Sequence, residues 1–245
     1  MEGAKMLTAH SNFRRSGAHL ESWSTGRSFA EFREQVQGVE RDPQKFLTAY
    51  MLDGPCFAIP KMPKYSAFRH EVAEVLSPTS DLGCTILVEG VRVVGSGKLG
   101  YSLNPKQFFK PFDAANGSDL DVAIVSETLF EKSLEDLQAM KFHQELNRSL
   151  VGKPLSEAHF RQIYILRSIL DGFVPLESVL TRMRYGQQWS KARDSLIQTL
   201  GSGYEDIEIN FRLYKSSEHL RAYQLRSIER AITELDKRNA ANGRI

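Results

Sequence analysis

Two short apolar runs, each with polar residues at one end, constrain this chain more than any other feature. Residues 91–94 are followed by a glycine-serine-glycine turn at residues 95–97, and residues 122–125 are preceded by two aspartates, Asp119 and Asp121. Continuous apolar runs of this length beside turn or polar residues are typical of buried strands. We therefore expect two buried strands, each of which presents polar groups at one end.

The two aspartates predict a cation site. Residues two apart on a strand point to the same face, so Asp119 and Asp121 project side by side. Adjacent carboxylates repel each other unless something neutralises them, and Mg²⁺ takes such oxygen ligands and commonly brings substrate phosphates with it. The glycines of the turn allow backbone N–H groups to approach a phosphate, and the Ser96 hydroxyl can also donate. The pattern predicts a site for Mg²⁺, or for Mn²⁺ in its place.

The same residues carry a resemblance to a known family. Gly95-Ser96, Gly100 and the run from Ser118 to Asp121 resemble the signature of the nucleotidyltransferase fold superfamily, which includes DNA polymerase β. The resemblance implies an α+β fold, in which a nucleotidyltransferase-like mixed β-sheet is flanked by helices. It also implies an enzyme that transfers a nucleoside monophosphate from a nucleoside triphosphate to a hydroxyl acceptor with the help of Mg²⁺.

The resemblance assigns roles to individual residues. Asp119 and Asp121 are the expected catalytic metal ligands. The expected nucleotide-binding residues are Gly95, Ser96, Lys98 and Gly100. For Lys98 the sequence alone leaves two alternatives open, a contact with the triphosphate or a solvated position.

A third carboxylate is expected from a later strand, because the resembled enzymes place one opposite Asp-x-Asp. Residues 205–214 alternate strictly between apolar and polar, as in a strand with one buried face, and the polar face includes Asp206, Glu208 and Asn210. Matching this strand to DNA polymerase β puts Asn210 at the acidic position. Asparagine can ligate Mg²⁺ but cannot accept a proton as a carboxylate does. We therefore expect Glu208 to be the third catalytic acid and metal ligand, with Asp206 as a weaker candidate.

The acceptor is less constrained. The superfamily also contains antibiotic- and tRNA-modifying enzymes, toxin–antitoxin partners and synthases of oligonucleotide signals in bacterial phage defence. The chain has 32 basic and 30 acidic residues, so its net charge gives no reason to expect bulk attraction to nucleic acid. We expect a small-nucleotide or oligonucleotide product in a bacterial antiviral defence context.

A competing interpretation is an inactive nucleotidyltransferase fold. Such a protein would bind a nucleotide or a partner protein without turnover, in an antitoxin or regulatory role. Inactive members would be expected to lose metal carboxylates, whereas Asp119 and Asp121 are both retained.

Composition and pattern along the chain predict its organisation. Residues 1–27 are predicted to be a loose arm, residues 28–236 a single domain with helical segments at both ends, and residues 237–245 a polar tail. The two cysteines form no Cys-x-x-Cys pair, which favours a reducing cytoplasm and buried thiols. No apolar run approaches the ~18–20 residues that span a bilayer, so no membrane association is expected.

Several further elements are predicted from periodicity and capping residues. A strand is expected at residues 85–88, and a helix at residues 156–171 is expected to bury a stripe that includes Phe160 and Leu170. Residues 181–194 have two interpretations, a surface for phosphates and bases or a helix that buries Trp189. Other helices are expected to begin at residues 28, 42, 66 and 126, and a last one to cover residues 217–236.

Overall fold

The structure is a computed structural model that describes residues 29–38, 42–77, 84–107, 109–139, 157–241 and 243. It is an α+β protein, in which a mixed sheet is flanked by helices on both faces. The predicted arm at residues 1–27 lies outside the described residues.

Four strands form the sheet in the order β1-β2-β4-β3. They are β1 (Val91–Val94), β2 (Leu120–Val125), β3 (Phe173–Pro175) and β4 (Ile209–Tyr214). β2 is antiparallel to β1 and parallel to β4, and β3 is antiparallel to β4. The two strands expected beside the turn and the aspartates are confirmed. The later alternating strand, predicted over residues 205–214, is confirmed only for residues 209–214.

The helices lie before, between and after the strands. They are α1 (Phe29–Gly38), α2 (Pro43–Phe46), α3 (Met62–Leu76), α4 (Gly95–Leu99), α5 (Glu127–Ala139), α6 (Glu157–Leu170), α7 (Leu176–Val179), α8 (Gly186–Leu200) and α9 (Ser217–Ala241). Asp42 caps α2 as expected, because its side chain accepts from the backbone N–H of Gln44 at 2.9 Å, and Pro43 occupies the first turn. α2 continues into a π-helical segment, Leu47–Leu52.

Alternation along the strands divides the core into two clusters. One face of the sheet includes Val93, Val122 and Phe211, and it packs against α3, α5 and α8. The other face includes Ala123 and Tyr214, and it packs against α1, the segment around α2 and α9. Asp121, Asn210 and Arg212 share the parity of this second face, so the polar groups of the site lie between the sheet and α9.

The two interpretations of residues 181–194 are resolved in favour of a helix. Trp189 is fully buried in α8, and its indole N–H donates to the carbonyl of Leu76 at 2.8 Å. Its ring packs edge-on against Phe211, with 5.5 Å between centroids. Trp189 therefore fastens α8 to α3 and to the sheet.

Some predictions about individual elements are wrong. Residues 85–87 are not a strand, because the N–H of Ile86 donates to the side chain of Ser77 at 3.0 Å and not to a neighbouring strand. The stripe expected on α6 is wrong in part: Leu166 and Ile169 pack against the core as expected, but Phe160 and Leu170 are exposed and Ile165 is buried instead. This helix carries apolar residues around most of its circumference, so periodicity alone does not select the face that meets β3.

Other differences concern where helices begin and end. α3 begins at Met62, earlier than the expected start at residue 66, because Pro63 is tolerated in a first helical turn. α9 continues to Ala241, past its predicted end at residue 236. No helix in the described part of the chain is long and apolar enough to cross a membrane.

Candidate functional site

A cavity of about 430 Å³ lies at the end of the sheet where β1 stops and β2 begins. Gly95 and Ser96 line one side of it, and Asp119 and Asp121 line another. The loop that follows α4, strand β4 and helix α9 supply the remaining walls. The structure thus brings together the turn and the aspartate pair that the sequence singled out.

The turn and the second aspartate are in close contact at Gly95. This residue has a φ of +66°, a conformation that L side chains rarely adopt. A Cβ atom at this position would lie 2.8 Å from Oδ2 of Asp121. Glycine is therefore required here both by the backbone conformation and by the approach of the carboxylate.

The two aspartates each have a partner on β4. The side-chain amide of Asn210 donates to Oδ2 of Asp119 at 2.7 Å. An amino group of the Arg212 guanidinium lies 3.1 Å from Oδ1 of Asp121. Parallel pairing places Asn210 directly beside Asp121, with Arg212 one step further along the same face. β4 therefore places the amide of Asn210 and the cation of Arg212 opposite the aspartate pair, where a third carboxylate was expected.

The surroundings of Asp121 disfavour its ionised form. Its side chain is only 15% exposed, and this burial raises the pKa of the carboxyl from 3.8 to about 6. Arg212 acts in the opposite direction, while the negative charges of Asp119 and Glu177 raise the pKa further. The ionised form of Asp121 would therefore be stabilised by a cation that approaches from the cavity.

The donor atoms fit a hard cation. The amide oxygen of Asn210 is buried and accepts no hydrogen bond from any described residue, while Oδ1 of Asp121 faces Arg212 and leaves Oδ2 of Asp121 for a cation. Oxygen donors of this kind suit Mg²⁺ or Mn²⁺, which fill their remaining positions with water and substrate phosphates. No group of three or more His, Cys, Asp and Glu residues suited to a metal occurs among the described residues. Asp119 and Asp121, with Asn210, are thus the residues that would hold the cation.

Two other members of the expected nucleotide-binding set lie outside the cavity lining. The ammonium group of Lys98 is buried, donates to the carbonyl of Gly54 and lies 5.2 Å from the ring centroid of Tyr65. Gly100 ends α4 in the left-handed conformation, with its Cα against the ring of Phe57. Both residues lie behind the turn, so the structure gives no support to the expectation that Lys98 and Gly100 contact the triphosphate.

The expected third acid does not line the cavity either. Glu208 lies just before β4 and its side chain is exposed, although its carbonyl accepts from the N–H of Leu120 at 2.8 Å. Asp206 is exposed as well. The strand geometry places Asn210 at the position facing the aspartate pair and gives no support to Glu208 or Asp206 as metal ligands.

Glu177 is an acid that was not singled out from the sequence. The residue is exposed and does not line the cavity. It lies close enough to the site that partial loss of hydration raises the pKa of its carboxyl, Arg212 lowers that pKa, and the negative charges of Asp119 and Glu208 raise it. Glu177 belongs to α7, which follows β3 directly. Its neighbourhood depends on β3, a three-residue strand with no alternating pattern, so no sequence signal placed it here.

Helix α9 forms a polar wall of the cavity. Gln224, Ser227 and Arg230 line it, and Gln224 is only 4% exposed. Gln224 lies between Leu220 and Ile228 on the buried stripe of the helix, at i+4 and i−4 spacing. A polar residue inside an apolar stripe is the signal that could have identified this wall from the sequence.

The loop after α4 contributes polar residues to the opposite rim. Asn104 and Gln107 line the cavity, and the amide oxygen of Asn104 accepts from the N–H of Lys106 at 3.0 Å. Phe109 is buried in the cluster beneath α1, where it packs edge-on against Phe32 at 5.2 Å. The loop is therefore anchored beside the cavity by an aromatic contact.

Comparisons with known proteins add nothing to this description, because no family model, no curated protein and no solved structure matches the chain. What the cavity does must be inferred from its own geometry and chemistry.

Proposed function

We propose that this chain is a metal-dependent nucleotidyltransferase that transfers a nucleoside monophosphate from a nucleoside triphosphate to a hydroxyl acceptor. One observation carries the proposal: a glycine-serine turn and an aspartate pair from separate parts of the chain line one cavity, with Gly95 against Asp121. A turn that admits phosphates beside carboxylates that admit a cation is the arrangement that phosphoryl transfer needs.

The order of elements also supports a nucleotidyltransferase-like fold. β1 leads through the glycine-serine turn into α4, and β2 returns antiparallel to β1 with the aspartates at its start. β4 then joins β2 in parallel and faces the aspartate pair. This is the order that the sequence resemblance implies for the catalytic sheet.

The residues of the cavity have distinct tasks in such a reaction. Ser96 and the adjacent backbone would hold the phosphates of the triphosphate, and Asp119 and Asp121 would hold Mg²⁺ or Mn²⁺. The cation, when bound, neutralises phosphate charge and stabilises the pyrophosphate leaving group. The acceptor oxygen forms a bond to the α-phosphorus, the bond from that phosphorus to pyrophosphate breaks, and the hydroxyl proton passes to a carboxylate of the site.

The dimensions of the cavity favour a small acceptor. A volume of about 430 Å³ is in the range of small-molecule sites. Two acids and two arginines line it, so the cavity carries no excess of positive charge that would attract a long polyanion. A nucleotide or short oligonucleotide acceptor agrees with these two features.

A second candidate function is nucleotide binding without turnover. It is favoured by Asn210, which occupies the position facing the aspartate pair and cannot accept a proton. In that case the cavity would bind a nucleoside triphosphate and its metal, and the result would be recognition or regulation of a partner protein.

Incubation of the purified full chain with each labelled nucleoside triphosphate and Mg²⁺ or Mn²⁺ distinguishes the two. Transfer predicts pyrophosphate release and a labelled product, both absent in Asp119→Asn. Binding without turnover predicts metal-dependent nucleotide retention in equilibrium dialysis and no pyrophosphate. If no triphosphate binds in the presence of either metal, both functions are refuted.

A further inference from the structure

Strand β4 opposes the aspartate pair with a fixed positive charge. Arg212 shares the face of Asp121 and Asn210, and its guanidinium lies 3.1 Å from Oδ1 of Asp121. Directly beside Arg212 on β2 is Ala123, two residues after Asp121 on the same face of the sheet. The register of β2 and β4 therefore builds an ion pair into the floor of the cavity.

Contacts on its other side hold Arg212 in this position. The hydroxyl of Tyr223 accepts from the guanidinium at 3.4 Å, and the Tyr223 ring centroid lies 6.0 Å from the guanidinium carbon. The Arg212 side chain is only 20% exposed. A guanidinium does not lose its proton in proteins, so this charge is permanent.

The carboxylates available to metals are correspondingly few. Two-metal phosphoryl-transfer sites hold both cations with a set of shared carboxylates a few ångströms apart. Here the facing position carries the neutral Asn210, and one oxygen of Asp121 already faces Arg212. A second divalent cation next to Asp121 would meet the guanidinium at short range, and like charges at such distances repel strongly in a partly buried site.

We propose that Arg212 takes the place of one of the two divalent cations, so that the chain binds its nucleoside triphosphate with a single divalent cation, an inference that rests on the proposed function. Asp119 and the free side of Asp121 hold that cation, which arrives with the phosphates. Arg212 supplies the second positive charge from the protein itself.

The number of bound cations tests this directly. The full chain is saturated with a non-hydrolysable nucleoside triphosphate analogue that carries a methylene group between the α and β phosphorus atoms. Mn²⁺ is then titrated in, and free Mn²⁺ is followed by electron paramagnetic resonance. We expect one Mn²⁺ per nucleotide-bound wild-type chain, and two in the double variant Asn210→Asp with Arg212→Gln.

Two control variants distinguish the effect of the Arg212 charge on Mn²⁺ binding from a general effect of substitution on the fold. Arg212→Lys keeps the positive charge and should keep one Mn²⁺. Arg226→Gln makes the same substitution in an ion pair on α9 outside the cavity lining, with Asp171 at 3.1 Å, and should also keep one. Circular dichroism of every variant checks that the chain remains folded.

The outcomes are distinguishable from those of the proposed function. Two Mn²⁺ ions in the nucleotide-bound wild type would overturn the inference and leave the proposed function standing. One Mn²⁺ in both the wild type and the double variant would also overturn it, since Arg212 would then not be what excludes the second cation. Absence of metal-dependent nucleotide binding in the wild type would refute the proposed function itself.

Discussion

Asn210 donates its side-chain amide to Asp119 at 2.7 Å from a position directly beside Asp121 in the sheet. The residue that faces the aspartate pair is thus a neutral donor that stabilises an ionised carboxylate, and its own amide oxygen is left buried without a described partner. This relationship distinguishes the site from one built on three acids.

Replacement of Asn210 by aspartate should make stability dependent on a divalent cation. The variant loses a hydrogen bond to a charged group, which contributes about 1.5–3 kcal/mol, and adds a third carboxylate beside two others. We expect a lower melting temperature in the presence of a chelator and recovery when Mg²⁺ is added. Asn210→Ala, which loses the hydrogen bond without gaining a charge, should be destabilised and should recover little. An equal response of the two variants to Mg²⁺ would contradict the assignment of the cation to this site.

Gly95→Ala should damage the site more than a glycine substitution with similar backbone strain elsewhere. Gly117 also has a positive φ, +78°, but a Cβ there would meet no described atom within 4 Å. Gly117→Ala should therefore show only the cost of the left-handed conformation, about 1–2 kcal/mol. Gly95→Ala should show that cost together with displacement of Asp121. Chemical denaturation gives the stabilities, and calorimetric titration with a nucleoside triphosphate in the presence of Mg²⁺ should detect weaker binding only in Gly95→Ala.

Ser96→Ala should weaken nucleoside triphosphate binding by about 1–2 kcal/mol, or roughly 5–30-fold, because one hydrogen bond to a charged phosphate is lost. Lys98→Met is the matched comparison two residues along the same turn. The ammonium group of Lys98 is buried against Gly54 and Tyr65, so its loss should not change nucleotide affinity. The stability of the variant should fall, because the Gly54 carbonyl loses its hydrogen-bond donor. Equilibrium dialysis with labelled triphosphate measures the nucleotide affinities of both variants. A larger loss of affinity in Lys98→Met than in Ser96→Ala would reverse the two assignments.

The raised pKa of Asp121 should appear in the pH dependence of stability. Because burial raises this pKa from 3.8 to about 6, the folded state retains a proton that the unfolded state has released between about pH 4 and pH 6. The free energy of unfolding of the wild type should therefore fall relative to that of Asp121→Asn as the pH rises through this window. The relative loss should be on the order of 2–3 kcal/mol, and it should level off above pH 6. Parallel curves, measured by denaturation in a chelator, would show that Asp121 titrates normally.

Much of the sheet could be predicted from the sequence, because its main strands are continuous or alternating apolar runs with polar residues at defined ends. The placement of Asp119 and Asp121 on one face follows from the period of two along a strand. Asn210 was matched to the facing position only through the resemblance to DNA polymerase β, and Glu208 was predicted in its place. β3 could not be found in this way, because residues 173–175 are too few to show a period and end in proline. Residues 85–87 have the apolar pattern of a strand, but the backbone N–H of Ile86 donates to the hydroxyl of Ser77. This contact depends on the tertiary fold, so the local sequence pattern does not predict it.

The walls of the site were less predictable than its centre. Arg212 lies on the polar side of β4 by simple alternation, yet its contact with Asp121 depends on the register between two strands far apart in the sequence. Lys98 is a basic residue next to the glycine-serine turn, which suggested a phosphate ligand. The short helix α4 directs its ammonium group towards the carbonyl of Gly54 instead. Gln224 stands out in the sequence as a polar residue within the apolar stripe of α9, but the cavity that it lines is set by the packing of α9 over the sheet.

The most direct test of the central claim is pyrophosphate release by the full chain. Each nucleoside triphosphate is supplied with Mg²⁺ or Mn²⁺ and with nucleotide, oligonucleotide and protein acceptors in separate reactions, and Asp119→Asn with Asp121→Asn is the paired control. The account predicts metal-dependent pyrophosphate release in at least one combination, with a labelled product, and none from the double variant. Metal-dependent nucleotide binding without pyrophosphate in any combination, or equal release by the double variant, would contradict it.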